Sequence, residues 1–249
     1  MKILMENLVK VKNLSKKYGS KEAVKDISFN IEENEILGLL GPNGSGKTTT
    51  IGMMLGLLKP SNGEIFIDGK KIEENRIETL QKINFISPYI ELPKKLTVKQ
   101  NLIVYCKLYN VLDIKNRIEY LVEKLRLEEL LNRVTGELSS GQKNRVSLAK
   151  ALINNPRVLF LDEPTASLDP EIGDFIRSFL ENYKKEKKIS ILLASHNMNE
   201  VTRLCKTVLM MKDGIIIDKG YPEELINKHG RNNLEEVFLK LSRSADELR

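Results

Sequence analysis

Glu35-Ile-Leu-Gly-Leu-Leu40 followed by Gly41-Pro-Asn-Gly-Ser-Gly-Lys-Thr48 is the stretch that decides the fold. EILGLL is apolar enough to be a central strand buried on both faces. GPNGSGKT fits the spacing G-x-x-x-x-G-K-[ST], a loop between strand and helix whose backbone N–H groups cradle phosphate. From average residue usage, a chance match in a chain this long is on the order of one per cent. The expected cradle is Gly41, Pro42, Asn43, Gly44, Ser45 and Gly46, with Lys47, Thr48 and Thr49 opening the next helix. Gly44 and Gly46 let the donors converge with no Cβ in the way. A helix predicted from about 47 to 57 adds its dipole and free N-terminal donors. Lys47 can reach the terminal phosphates, and Thr48 can bind Mg²⁺.

Such a loop needs a carboxylate at the end of a second buried strand. Val158-Leu-Phe-Leu-Asp-Glu163 supplies it. Asp162 would hold Mg²⁺, directly or through water. Glu163, next in line, can polarise a water for attack on the γ-phosphorus.

The rest of the chain alternates short β-rich runs with longer helical patterns, which indicates an α/β protein. Residues 8–13 and 23–31 read as strands, and 64–72 as a hairpin turning at Asp68-Gly69. From about 97 to 132 Leu102, Tyr105, Leu108 and Tyr109 recur at three- and four-residue spacing, predicting a helical subdomain inserted between strands. Another helix is expected over 140–154, with Val146, Ala149, Leu152 and Ile153 as its buried stripe. Residues 189–195 read as a buried strand and 170–187 as a crossover helix, its terminal Lys184, Lys185, Lys187 and Lys188 suiting a helix C-terminus. A second hairpin turns at Asp213-Gly214, and Pro222 begins a short helix. In 233–242, Leu234, Val237, Phe238 and Leu241 share one helical face.

Composition narrows the class. The 249 residues are 41% hydrophobic and 30% charged, so a packed core is affordable and disorder is not expected. Forty Lys+Arg against 34 Asp+Glu leave a spread-out +6, which permits an anionic partner and selects none. No apolar run approaches the ~20 residues that span a bilayer. No signal peptide is expected at the start. Two cysteines, Cys106 and Cys205, exclude a disulfide scaffold and a four-cysteine zinc site, pointing to a soluble protein of a reducing compartment. With no Trp and few aromatics, an aromatic platform for single-stranded nucleic acid is not expected.

Leu138-Ser-Ser-Gly-Gln142, followed by KNRVSLAKAL, resembles the LSGGQ signature of the ATP-binding cassette (ABC) ATPases. The order also resembles that family: phosphate loop, helical subdomain, signature, strand with Asp162, Ser167-Leu168-Asp169, then a histidine. The resemblance covers about 7–225 and implies a P-loop NTPase core with a mostly parallel sheet, an antiparallel β subdomain and a helical subdomain inserted at about 88–140. Residues 226–249 would be a short helical extension. The family role of Ser139, Gly141 and Gln142 is to bind ATP held by a second subunit; Asp169 would lie at the subunit contact. His196 would contact the γ-phosphate in its own subunit, and Tyr18 would stack on adenine. One departure stands out. The family's glutamine between core and helical subdomain falls, in Ile83-Asn-Phe-Ile-Ser-Pro88, on Pro88, which has no side-chain donor or acceptor. Ser87 offers a hydroxyl one position earlier. The loop 87–96 is the expected partner-facing groove. The family resemblance implies an ATPase using Mg-ATP, paired with a second ATP-binding subunit and with separate membrane-spanning permease subunits. It would be peripheral on the cytoplasmic face of the membrane, with no nucleic acid. LEEVFLKL is similar to tails of exporter-type subunits. The rival is a soluble ABC ATPase of a non-transport complex such as iron–sulfur cluster assembly; a P-loop kinase is disfavoured by LSSGQ.

Overall fold

The computed structural model describes residues 7–247. In chain order the strands and helices are β1 (Asn7–Tyr18), β2 (Lys21–Glu32), β3 (Ile36–Leu40), α1 (Lys47–Met54), β4 (Asn62–Ile67), β5 (Lys70–Lys71), α2 (Arg76–Gln81) and β6 (Ile83–Ile86). There follow α3 (Val98–Leu108), α4 (Ile114–Leu125), α5 (Ser140–Leu152), β7 (Val158–Asp162), α6 (Pro170–Lys187), β8 (Ser190–Ser195), α7 (Met198–Leu204), β9 (Thr207–Lys212), β10 (Ile215–Gly220), α8 (Pro222–His229) and α9 (Leu234–Glu247). Two compact units result: residues up to Thr79 together with those from Ser190 onward, and Leu80–Ile189.

In the first unit β3 lies between β8 and β9 and runs parallel to both. β10 adds antiparallel to β9. All five residues of β3 are buried, as its unbroken apolar run requires of a strand covered on both faces. Gly38 makes the cover possible: a Cβ there would stand 2.9 Å from Cys205 Sγ and 3.1 Å from Val201 Cγ1. A separate antiparallel sheet has the order β2-β1-β4-β5. Both Asp-Gly hairpins are as expected. Asp68 and Gly69 have φ of 54° and 73°, and Asp213 and Gly214 have 49° and 84°, the paired positive angles of a type I′ turn. α1 stops at Met54 rather than near 57. Gly56 turns left-handed with φ 65°, and the N–H groups of Leu57 and Leu58 both donate to Gly52 O.

In the second unit β6 and β7 pair in parallel, from Ile83 opposite Val158 to Ile86 opposite Leu161. The predicted helical stretch 97–132 resolves into α3, α4 and a short 3₁₀ turn. Its interruptions are local chemistry. Thr97 and Gln100 form a capping box on α3, Asp113 caps α4, and Arg126 ends α4 in a left-handed conformation. On α5 the expected stripe of Val146, Ala149, Leu152 and Ile153 is buried. The 3.6-residue period therefore placed that face correctly.

Candidate active site

The phosphate loop leaves β3 at its carboxyl end, where open α/β sheets place their ligands. Leu40 lies opposite Ser195 of β8, and the Gly41 N–H donates to Ser195 O at 3.4 Å. Gly41 and His196 therefore emerge side by side. Three glycines serve the loop for different reasons. A Cβ on Gly41 would stand 2.1 Å from Met211 O, and one on Gly46 would stand 2.6 Å from Ala23 O. Gly44 has open space around it but a φ of +82°. Gly46, at φ 107°, precedes α1 with no side-chain cap, and no acidic residue stands in that helix's first turn. The helix thus presents its N-terminus to an anion uncompensated. Lys47 is buried, and its ammonium donates to Gly41 O at 2.6 Å and Pro42 O at 3.2 Å, drawn back over the loop. Ser45 Oγ is buried within the loop and has no hydrogen-bond partner among the described residues. A glycine-lined loop leading into an uncapped helix N-terminus fits a polyphosphate. The Thr48 hydroxyl at the start of α1 is a hard oxygen donor of the kind Mg²⁺ takes.

Tyr18 stands at the tip of the β1–β2 hairpin, opposite Lys21. Its ring is half exposed and backed on one side by the Lys16 ammonium, 5.1 Å from the ring centroid. Ala23 and Val24 of the same hairpin end abut Gly46, so the ring belongs to the edge that carries the phosphate loop. His196 is exposed just beyond β8. The turn that presents it is braced from inside: Ser195 Oγ donates to Glu200 Oε2 at 2.9 Å and accepts from the Asn197 N–H at 3.0 Å.

In the second unit, buried Asp162 ends β7. Glu163 and Ser167 then take positive φ angles, 51° and 59°. Each such non-glycine residue costs about 1–2 kcal/mol, strain of the kind that collects at functional turns. Glu163 lines a groove of about 230 Å³ together with Ile86, Leu92, Leu138, Ser147 and Leu168. The loop expected to face a partner forms one wall of it through Ser87, Pro88 and Ile90. Tyr89 and Ile90 on that loop are exposed. Ser87 Oγ accepts from the Tyr89 N–H at 3.4 Å, so this hydroxyl shapes the turn that Pro88 begins. Asp169 is exposed at the start of α6.

The signature residues sit at the N-terminus of α5. Ser139 Oγ accepts from the Gln142 N–H at 3.3 Å, and Gln142 Oε1 accepts from the Ser139 N–H at 3.0 Å. Gln142 therefore orients Ser139 within a reciprocal capping box. Gly141 earns its place by packing: a Cβ would meet Ile172 of α6 at 3.3 Å. Sequence reasoning missed two side chains of this helix. Asn144 Nδ2 donates to Pro164 O at 2.6 Å. Lys150 is buried, donates to Phe85 O at 3.1 Å, and lies over the Phe85 and Tyr105 rings at 4.7 and 5.5 Å. Burial pushes its pKa down to about 8. Its placement among apolar stripe positions was the available signal.

Among the described residues no helix is long and apolar enough to cross a membrane. The family model for ABC transporters matches residues 24–166. The ABC transporter ATP-binding protein NatA of Bacillus subtilis is 37% identical over 221 residues, covering 88% of this chain and 89% of that one. The bacitracin transport ATP-binding protein BcrA of Bacillus licheniformis is 35% identical, covering 93% and 75%. The Nod factor export ATP-binding protein I of Rhizobium johnstonii is 40% identical, covering 86% and 70%. Among solved structures, an ATP-binding subunit of an ABC transporter superposes with a TM-score of 0.86 at 27% identity, covering 94% of this chain and 99% of its own. A dimeric bacterial ABC transporter cassette gives 0.79 at 28%, covering 86% and 98%. CbiO1 of Clostridium perfringens, part of the ABC transporter complex cbiONQ, gives 0.79 at 33%, covering 98% and 99%. With the phosphate loop, the signature helix and the β7 carboxylates in that family's order, the chain belongs to the ABC transporter ATP-binding family.

Proposed function

We propose that this chain hydrolyses Mg-ATP at an interface between two ATP-binding subunits and thereby drives export through separate membrane-spanning subunits. The observation that carries the reading is the uncapped, glycine-lined loop from Gly41 to Gly46 with Lys47 folded over its carbonyls. Lys47 would turn from those carbonyls to the β- and γ-phosphates, Tyr18 would stack on adenine, and His196 would contact the γ-phosphate. Ser139 and Gly141 of the second subunit would close over the same phosphate. Bound Mg²⁺, held by Thr48 and Asp162, would supply charge neutralisation between the phosphates. Glu163 takes a proton from water as the water oxygen attacks the γ-phosphorus. The bond from that phosphorus to the β,γ-bridging oxygen breaks, leaving ADP and phosphate. Loss of the γ-phosphate removes the contacts that hold the two subunits together.

The dimer is supported by the paired cassette structure, and separate membrane partners by the cbiONQ complex of a structural relative. Export is supported by the Nod factor export relative. The relatives' names favour transport over a soluble assembly complex. We place the chain peripherally on the cytoplasmic face through those partners. Leu234, Val237 and Phe238 of the tail helix are buried, so LEEVFLKL docks on its own unit. We retain 226–249 as the short helical extension; α8 (Pro222–His229) crosses its start. Glu163→Gln should keep ATP binding and slow hydrolysis by about 10²–10⁴. Saturating Mg-ATP should then trap a dimer visible by light scattering. Unchanged turnover would reject the assignment of the base.

A further inference from the structure

We infer that Asn144 is a positioning residue for Glu163, linking the signature end of α5 to the hydrolytic turn within one subunit. The inference rests on the reading of Glu163 as general base. Glu163 sits in a left-handed conformation, φ 51°, that an L-residue does not hold unaided. The chain continues through Pro164, whose ring fixes its own φ. Anchoring the Pro164 carbonyl therefore restrains the whole Glu163–Pro164 segment. Asn144 Nδ2 supplies that anchor at 2.6 Å. Within the turn, the Ala166 N–H donates to Glu163 O at 3.2 Å, which closes the loop without reaching outside it. Asn144 is thus a tether from a different element.

Two further observations favour a positioning role over plain stability. Among the described residues Asn144 Oδ1 is buried with no hydrogen-bond partner, a costly arrangement for a side chain kept only to stabilise. Asn144 also lines the groove that holds Glu163 and Ser87. The other end of the coupling is rigid. Asn144 lies five residues after Ser139, about 7–8 Å along the helix. Ser139 is fixed by its box with Gln142, and Gly141 is seated on Ile172 of α6. A displacement of Ser139 by a nucleotide on the second subunit is carried by this helix to the carbonyl beside Glu163. Each subunit's base thereby responds to closure over its partner's nucleotide.

The test is a double-mutant cycle on the full-length chain. Asn144→Asp keeps the shape and replaces the donor by an acceptor facing Pro164 O. It should lower kcat roughly ten-fold, the scale of one lost hydrogen bond, with KM for Mg-ATP held within about two-fold. Asn144→Gln, which retains an amide donor, should recover most of the rate. In a Glu163→Gln background Asn144→Asp should add no further loss. Asn144→Ser serves the same comparison should the aspartate variant unfold. Wild-type kcat in Asn144→Asp and Asn144→Ser beside a slowed Glu163→Gln overturns the inference alone. Full multiplication of the two losses also overturns it. Wild-type turnover by Glu163→Gln removes the base assignment, and the inference with it.

Discussion

Alanine at Gly41 and at Gly44 separates two ways in which a phosphate loop depends on glycine. At Gly44 the added Cβ meets nothing within 4 Å, but φ is +82°. The cost is conformational alone, about 1–2 kcal/mol. For a chain of this size each kcal/mol moves Tm by about 2–4 °C, so Gly44→Ala should lower Tm by about 2–8 °C. Gly41 is not among the positive-φ glycines. Its Cβ would stand 2.1 Å from Met211 O and 3.1 Å from Met211 C, more than 1 Å inside ordinary contact. Met211 cannot yield cheaply. Its neighbour Met210 is paired with Leu40 in the β3–β9 ladder, and Met211 itself pairs with Ile216 of β10. Overpacking in a well-packed core costs about 1–3 kcal/mol and occasionally more. With backbone on both sides of the clash, at least the top of that range, about 3 kcal/mol, is expected. Gly41→Ala should also reduce ATP affinity more than Gly44→Ala, because relief of the clash must move the cradle. Thermal unfolding by circular dichroism, paired with nucleotide calorimetry, measures both. If Gly41→Ala is no less stable than Gly44→Ala, the claim that β9 holds the loop's first glycine is wrong.

Lys47→Ala removes a buried ammonium whose hydrogen bonds are charge-assisted, each worth about 1.5–3 kcal/mol; ATP affinity should fall at least ten-fold, and unchanged calorimetric binding would contradict the assigned contact. Gln142→Ala should cost about 1 kcal/mol through loss of the capping box and slow hydrolysis by loosening Ser139; equal activity with lowered Tm would confine Gln142 to helix capping. Lys150 has a folded pKa near 8, below its ordinary 10.5. Between those values the unfolded chain binds more protons at this site, so its contribution makes stability rise with pH. Urea unfolding at pH 8 and pH 10 should show that rise shrink in Lys150→Met relative to the parent chain.

How far the fold was legible follows from where its information resides. The strand EILGLL, the GPNGSGKT loop and both Asp-Gly turns are local statements, and each element formed where its own residues dictate. β6 was legible as the run beside Pro88 but not as a strand, because four residues give no period to count. α2 and α7 are six and seven residues long and fail for the same reason. Boundaries slipped where tertiary contacts decide them. α1 ends early at a left-handed Gly56, and β1 extends to Tyr18 because β2 continues opposite it. Within the site, the residues proposed to touch a ligand were legible because a phosphate loop imposes a fixed spacing on them. Those that hold other residues in place were not. Asn144 and Lys150 differ from ordinary helix positions only through partners at Pro164 and Phe85, which are distant in sequence.

The replacement at Pro88 carries the same point further. On the family resemblance, Pro88 stands where a glutamine is expected. Yet the loop is still tightly held, by groups outside it. Asn101 Nδ2 donates to Pro93 O at 3.2 Å and Thr97 O at 3.1 Å, and Thr135 Oγ1 donates to Pro93 O at 2.8 Å. Lys150 anchors Phe85 O two residues before Ser87. A loop pinned at both ends by buried side chains needs no glutamine to fix its course. Beside Pro88, Tyr89 and Ile90 are exposed, and Ile90 also lines the groove that holds Glu163.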